Sequence, residues 1–133
     1  MTDREAIEAF WAAMGASRFD QLPPLIADGF VCDWPHTGER IVGPDDFVEV
    51  QRRFPGTGSI AIERLVDDGA GQVVTQCRVA WDGTVVFAVS FFTLVDGRIT
   101  HLLEWWPEPY EPPAWRAHLV ARVPPGFVLP GSS

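Results

Sequence analysis

Glu104 is a carboxylate inside the strongly apolar stretch Arg98-Ile99-Thr100-His101-Leu102-Leu103-Glu104-Trp105-Trp106. A charge on a buried strand face is costly unless it is paired or used. Its position therefore predicts a walled cavity with an acid in it, and the chemistry such an acid offers is proton transfer. Partners follow from register. If the Asp82-Gly83 and Asp96-Gly97 hairpins share one turn type, two-residue turns pair Val89 with Glu104 and bulged three-residue turns pair Ala88 with Glu104. Either choice puts Gln76, Arg78 and Glu104 on one sheet face. Strands two apart are about 10 Å apart, a gap that the long Arg78 side chain crosses more easily over Ala88, which favours the bulged turns. Ser90, Leu102 and Trp106 then share the face as well. In this arrangement Glu104 moves a proton, Arg78 sets its charge state and Gln76 orients a substrate oxygen. Burial raises the Glu104 pKa and a close Arg78 lowers it. The plainer alternative is an ion pair that ties strands together without turnover.

The elements that must position these groups can be read along the chain. Thr2-Asp3-Arg4-Glu5 is a capping box opening a helix whose Ile7, Phe10, Trp11 and Met14 share a face and which Gly15 ends. A second helix is expected from about Asp20 to Ala27, with Pro23 and Pro24 near its start. Gly29 to His36 reads as a strand with Phe30, Cys32, Trp34 and His36 on one face and Val31 and Asp33 on the other. After a turn at Thr37-Gly38-Glu39 and a short extended Arg40-Ile41-Val42, Pro44 opens a third helix. Asp45 and Asp46 lie in its first turn and Arg52 and Arg53 near its end, matching the macrodipole. Phe47, Val50 and Phe54 face inward, and Pro55-Gly56 stops it. Four antiparallel strands are expected at roughly 59–67, 72–81, 84–95 and 98–106, punctuated by Asp67-Asp68-Gly69, Asp82-Gly83 and Asp96-Gly97.

The strand 84–95 is apolar on both faces. Helices can cover one face, and a second subunit is the simplest cover for the other. Residues 1–107 read as one α+β domain and 108–133 as a Pro-rich segment, either a packed arm or a lid, with a short helix expected at about 114–122 and mobile final residues. His36 can reach the cavity mouth beside Trp34, His101 points away from Glu104, and Asp33 is solvated.

At 133 residues and 47% hydrophobic, the chain fits a single domain with a real core. Six Trp and nine Phe supply bulky lining material. A formal net charge of −8 with ten Lys plus Arg, and no basic stripe, argues against a nucleic-acid partner. There is no secretory apolar core near the start and no run long enough to span a bilayer. Cys32 and Cys77 read as reduced, packed thiols of a cytosolic protein. No metal-ligand spacing occurs.

The order helix–helix–strand–helix–meander resembles the SnoaL-like branch of the nuclear transport factor 2-like superfamily. The residues carrying the resemblance are Phe30-Val31-Cys32-Asp33-Trp34-Pro35, Gly38-Glu39-Arg40-Ile41-Val42-Gly43, Ser90-Phe91-Phe92, Asp96-Gly97-Arg98-Ile99 and Glu104-Trp105-Trp106-Pro107. The resemblance implies a cone-shaped roll, a curved antiparallel sheet wrapped on three helices of the N-terminal half around an apolar pocket. It also implies a homodimer through the outer sheet face, a small apolar or amphipathic oxygen-bearing ligand, and acid–base cyclase, isomerase or hydratase/hydrolase chemistry without a cofactor or metal. Other members of that superfamily only bind ligands or partners.

The last-strand acid of the cyclases and epoxide hydrolases falls on Glu104. The epoxide hydrolases' Arg and Asp look like Gln76 and Arg78 here, so their water-activating arrangement is not reproduced. The isomerases' general base falls on Trp34 and their second acid on Ser90. The pocket walls implied are Trp34, Trp106, Phe47, Phe92 and Trp11, with His36 and Ser90 as further contacts.

Overall fold

A computed structural model of the protein describes residues 1–54 and 58–124. Helix α1 (Asp3–Gly15) starts with the expected capping box: Thr2 Oγ1 accepts from the Glu5 amide at 3.1 Å, and the Glu5 carboxylate accepts from the Thr2 amide at 2.9 Å. Such a cap contributes about 1 kcal/mol. Ala6, Ile7, Phe10, Trp11 and Ala13 bury its inner face.

The expected second helix is absent. Two single 3₁₀ turns, Phe19–Gln21 and Pro23–Leu25, take its place, because two consecutive prolines cannot supply the amide donors of an α-helical turn. Strand β1 (Ile26–Trp34) therefore begins three residues earlier than the pattern suggests. Strand β2 (Glu39–Val42) and helix α2 (Pro44–Arg53) follow as expected, with Pro44 at the helix start. The stop expected at Pro55-Gly56 and the tail beyond Pro124 lie outside the described residues.

Strands β3 (Gly58–Asp67), β4 (Gln72–Trp81), β5 (Thr84–Val95) and β6 (Arg98–Trp105) form the meander. The six strands make one sheet in the order β2-β1-β6-β5-β4-β3. The expected all-antiparallel sheet is corrected at one seam, since β1 runs parallel to β6. That seam places Cys32 beside Leu102 and Asp33 beside Leu103, so Trp34 ends next to Glu104.

One face of the sheet packs on the helices. Its inward side chains, among them Val73, Cys77, Phe92, Leu94, Ile99 and Leu102, join Ile7, Phe10, Trp11, Leu22, Phe30 and Phe47 in a single core. The rings of Phe10, Trp11, Phe47 and Phe92 meet with centroids 5.1–6.0 Å apart. Beyond β6 the chain has no regular element until a 3₁₀ segment, Ala114–Leu119, which is shorter than the helix expected to Arg122 and buries none of its residues.

Candidate functional site

Both hairpins use tight two-residue turns. Asp82 and Gly83, and likewise Asp96 and Gly97, all have φ between +47° and +78°, the backbone of a type I′ turn. The bulged turns favoured by the sequence are therefore absent, and the irregularity lies inside the ladder instead. Between Thr93 and Leu94 the register slips, because Leu94 faces Ile99 while Thr93 faces His101, leaving Thr100 unpaired. The Thr100 hydroxyl donates to the Thr93 carbonyl at 3.2 Å and fixes this bulge.

One extra residue turns Glu104 over. It faces Ser90, and Ser90 faces Thr75. Glu104, Ser90 and Thr75 make one row on the inner face, while Gln76 and Arg78 point outward. The expected Glu104–Arg78 pair is thus corrected. Arg78 Nε donates to Glu63 at 3.2 Å, Gln76 reaches the same carboxylate at 3.5 Å, and the Arg78 guanidinium lies 5.1 Å from the Phe87 ring centre.

Glu104 is held by three neutral donors. Ser90 Oγ donates to Oε2 at 2.7 Å, and the Trp34 and Trp106 indoles each donate to Oε1 at 3.2 Å. Burial pushes the Glu104 carboxyl pKa up from its ordinary value, against the hydrogen bonds from Ser90, Trp34 and Trp106, which pull it down. Oε1 has both lone-pair directions taken by N–H groups, so the proton this carboxyl takes up belongs on Oε2, where the Ser90 hydroxyl can rotate from donor to acceptor.

Apart from Gln76 and Arg78, the residues predicted to join Glu104 separate into three sets. Trp34, Ser90 and Trp106 meet Glu104 directly. His36 is exposed and touches the cluster through Trp106, with ring centres 4.8 Å apart. Trp11, Phe47 and Phe92 are corrected from pocket wall to closed core: all three are buried among other rings, and the Trp11 indole donates to Thr75 Oγ1 at 3.0 Å.

Sequence reasoning missed Thr75, Phe54 and Trp81. Phe54 lies 5.8 Å from Trp81 and 6.1 Å from Trp106, so a chain of rings runs from Glu104 to the protein surface. Thr75 and Trp81 were legible as even-spaced neighbours on β4, but only with the correct register. Asp33, expected to be solvated, is instead clamped by Arg40 at 2.6 and 3.2 Å and by His101 at 2.9 Å, and these bonds, Arg40's first, hold its carboxyl pKa below the ordinary value.

Cys32 and Cys77 are free and buried. Burial first, and the Glu104 charge next for Cys32, push the Cys32 thiol pKa upward. Cys77 is pushed up to about 12, again mainly by burial and against a hydrogen bond from Thr75. Neither thiol ionises near neutrality, so both are expected to resist a disulfide reagent such as DTNB in the native protein and to react together once the chain is unfolded. A fast native phase would show that the core opens around them. Among the described residues, no group of three or more His, Cys, Asp or Glu side chains is arranged to hold a metal ion, and no helix is long and apolar enough to cross a membrane.

Residues 7–102 match the family model of the SnoaL-like domain. Among solved structures, a candidate ketosteroid isomerase from Kribbella flavida is 29% identical, with a TM-score of 0.84 over 92% of this chain and 90% of that one. A nuclear transport factor 2-like protein of unknown function from Burkholderia xenovorans is 28% identical, with a TM-score of 0.76 over 91% and 94%. An LEH-like epoxide hydrolase from Mycobacterium tuberculosis is 27% identical, with a TM-score of 0.64 over 77% of this chain and 80% of that one. No curated protein matches the chain.

Proposed function

The chain belongs to the SnoaL-like domain family, and from that premise we propose that it is a cytosolic, cofactor-independent acid–base enzyme acting on a small apolar, oxygen-bearing molecule. The observation that carries this reading is the Glu104 carboxyl, set against two indoles, met among the described residues by neutral donors, and raised in pKa by burial. A carboxyl tuned upward can give a proton to a substrate oxygen and take one from an adjacent carbon or water. The isomerase and epoxide-hydrolase names among the similar solved structures describe reactions of this kind. In this reading Ser90 passes the proton at Oε2, Trp34 and Trp106 hold the other oxygen, and Phe54, Trp81 and His36 guide the ligand inward. Arg78 and Gln76 have no part in it. The active form is a homodimer through the outer sheet face, where Val66, Phe91, Val95 and Trp105 are exposed.

A second reading, a binding module without turnover, is favoured by the filled interior: Trp11, Phe47 and Phe92 leave little of the cone open. The two readings part on one experiment. Epoxide, enone and polyketide-like ketone panels are screened by thermal shift, and each hit is assayed for conversion by the wild type and by Glu104→Gln. Conversion that Glu104→Gln loses while keeping the thermal shift supports the enzyme. Hits that bind both proteins and are converted by neither support the binding module and overturn the first reading.

A further inference from the structure

Two apolar surfaces of this chain lie open. The first is a groove of about 380 Å³ lined by His36, Val89, Phe91, Trp105, Trp106 and Pro107, almost without polar surface; Phe91 and Trp105 there are 40% and 41% exposed. The second is the segment after the sheet, in which Trp115 and Leu119 are each 69% exposed and the 3₁₀ turn that carries them buries nothing. An exposed Trp and Leu on a segment that covers no core of its own mark a docking element.

We propose that the arm of one copy, through Trp115 and Leu119, docks in the Phe91–Trp105 groove of a second copy. The inference rests on the homodimer reading above and adds the arm to it. Three features select this occupant. The arm does not fill its own groove: it departs from Pro107, which is part of that groove's wall, yet Trp115 and Leu119 stay exposed beyond the Pro-rich spacer of Pro107, Pro109, Pro112 and Pro113. A two-fold pair gives every arm a groove and every groove an arm, leaving no open end for further growth. Charge does not oppose the contact, because Glu108 and Glu111 on the arm are balanced by Arg116 and Arg122, Arg122 already meeting Glu111 at 3.4 Å, and the groove lining holds no carboxylate.

The contact would complete the candidate site. Trp106 forms part of the groove and also donates to Glu104. An arm seated on the groove covers the indole that orients the carboxyl, so the partner copy contributes to the surroundings of the acid.

The test is complementation, read by sedimentation velocity at micromolar protein with circular dichroism as the check on folding. The full chain is expected to be a dimer. Trp115→Ala with Leu119→Ala on the arm, and separately Phe91→Ser in the groove, are each expected to weaken dimerisation about 100-fold or more, the loss typical of an aromatic anchor. All three positions are at least 40% exposed, so folding is expected to survive. Mixed together, the two variants are expected to pair better than either alone, since one intact arm then meets one intact groove. A monomeric wild type overturns this inference together with the homodimer reading. A dimer that the arm variant leaves unchanged, or variants that do not complement, overturns the arm contact alone.

Discussion

Glu104→Gln is expected to fold and bind as the wild type does while losing about 10²- to 10⁴-fold in turnover, the usual contribution of a positioned acid or base. The amide fits the existing donors. Its oxygen takes the Trp34 and Trp106 indoles, and its NH₂ faces Ser90, whose hydroxyl rotates to accept. Glu104→Ala, by contrast, leaves three donors facing an empty site, each costing about 1–3 kcal/mol if it stays dry, so loss of activity in that variant would not separate chemistry from structure.

The same substitution has a signature in stability. Glu104 binds its proton more tightly in the folded than in the unfolded chain. Its contribution is therefore fully present below the unfolded carboxyl pKa, is lost as pH rises through the higher folded value, and is constant beyond it. Asp33 acts in the opposite sense: its folded pKa is lowered, so its contribution is present above the unfolded value and lost as pH falls through the folded one. Asp33 is common to both proteins and cancels in the difference. Urea midpoints of wild type and Glu104→Gln across the acid to neutral range should therefore draw apart as pH rises, the variant gaining relative to the wild type. Parallel profiles would mean that Glu104 meets solvent freely, and the acid–base reading would lose its physical basis.

Much of this fold was legible because local signals agreed. The capping box, Pro44, and the Asp-Gly pairs each act within a few residues, and the strands between them were bounded by those turns. Glu104, Trp34, Ser90 and Trp106 were legible for a related reason, since a lone acid among indoles stands out in an apolar strand. What failed was parity across the sheet. The partner of Glu104 depends on counting from the turn, and one residue, Thr100, leaves the ladder without any compositional mark. A threonine at a bulge looks like a threonine in a strand. That single slip exchanged Gln76 and Arg78 for Thr75 as neighbours on the acid's face. The Asp20–Ala27 helix failed because Pro23-Pro24 satisfies a helix start only where an α-helix follows, and after Leu25 the chain enters β1, with Ile26 paired to Ile99 of β6. The parallel β1–β6 seam joins segments about 70 residues apart, a distance over which no local pattern speaks.

The filled interior leads to the other large effect. Phe92 is fully buried, sits between Val73 and Leu102 across the ladder, and meets Phe10 and Trp11 edge-on at 5.3 and 6.0 Å. Phe92→Ala is expected to cost about 3–5 kcal/mol, from lost burial and from the void that rigid neighbours cannot close. Against a total stability of roughly 5–15 kcal/mol, the loss is large and measurable by urea denaturation. Its second consequence bears on the pocket. The void would be walled by rings and by aliphatic side chains, with Ser90 two residues away on the same face, and an apolar void of that kind stays dry and admits a small apolar guest. Benzene is therefore expected to raise the melting temperature of Phe92→Ala, since a ligand that binds only the native state stabilises it, and to leave the wild type unmoved. If the wild type responds equally, the cone is already open beside Glu104 and the rings of Phe10, Trp11 and Phe92 are pocket wall after all. If Phe92→Ala loses under about 1 kcal/mol and ignores benzene, the helices have closed over the gap, and α1 rides on the sheet more loosely than its ring contacts imply.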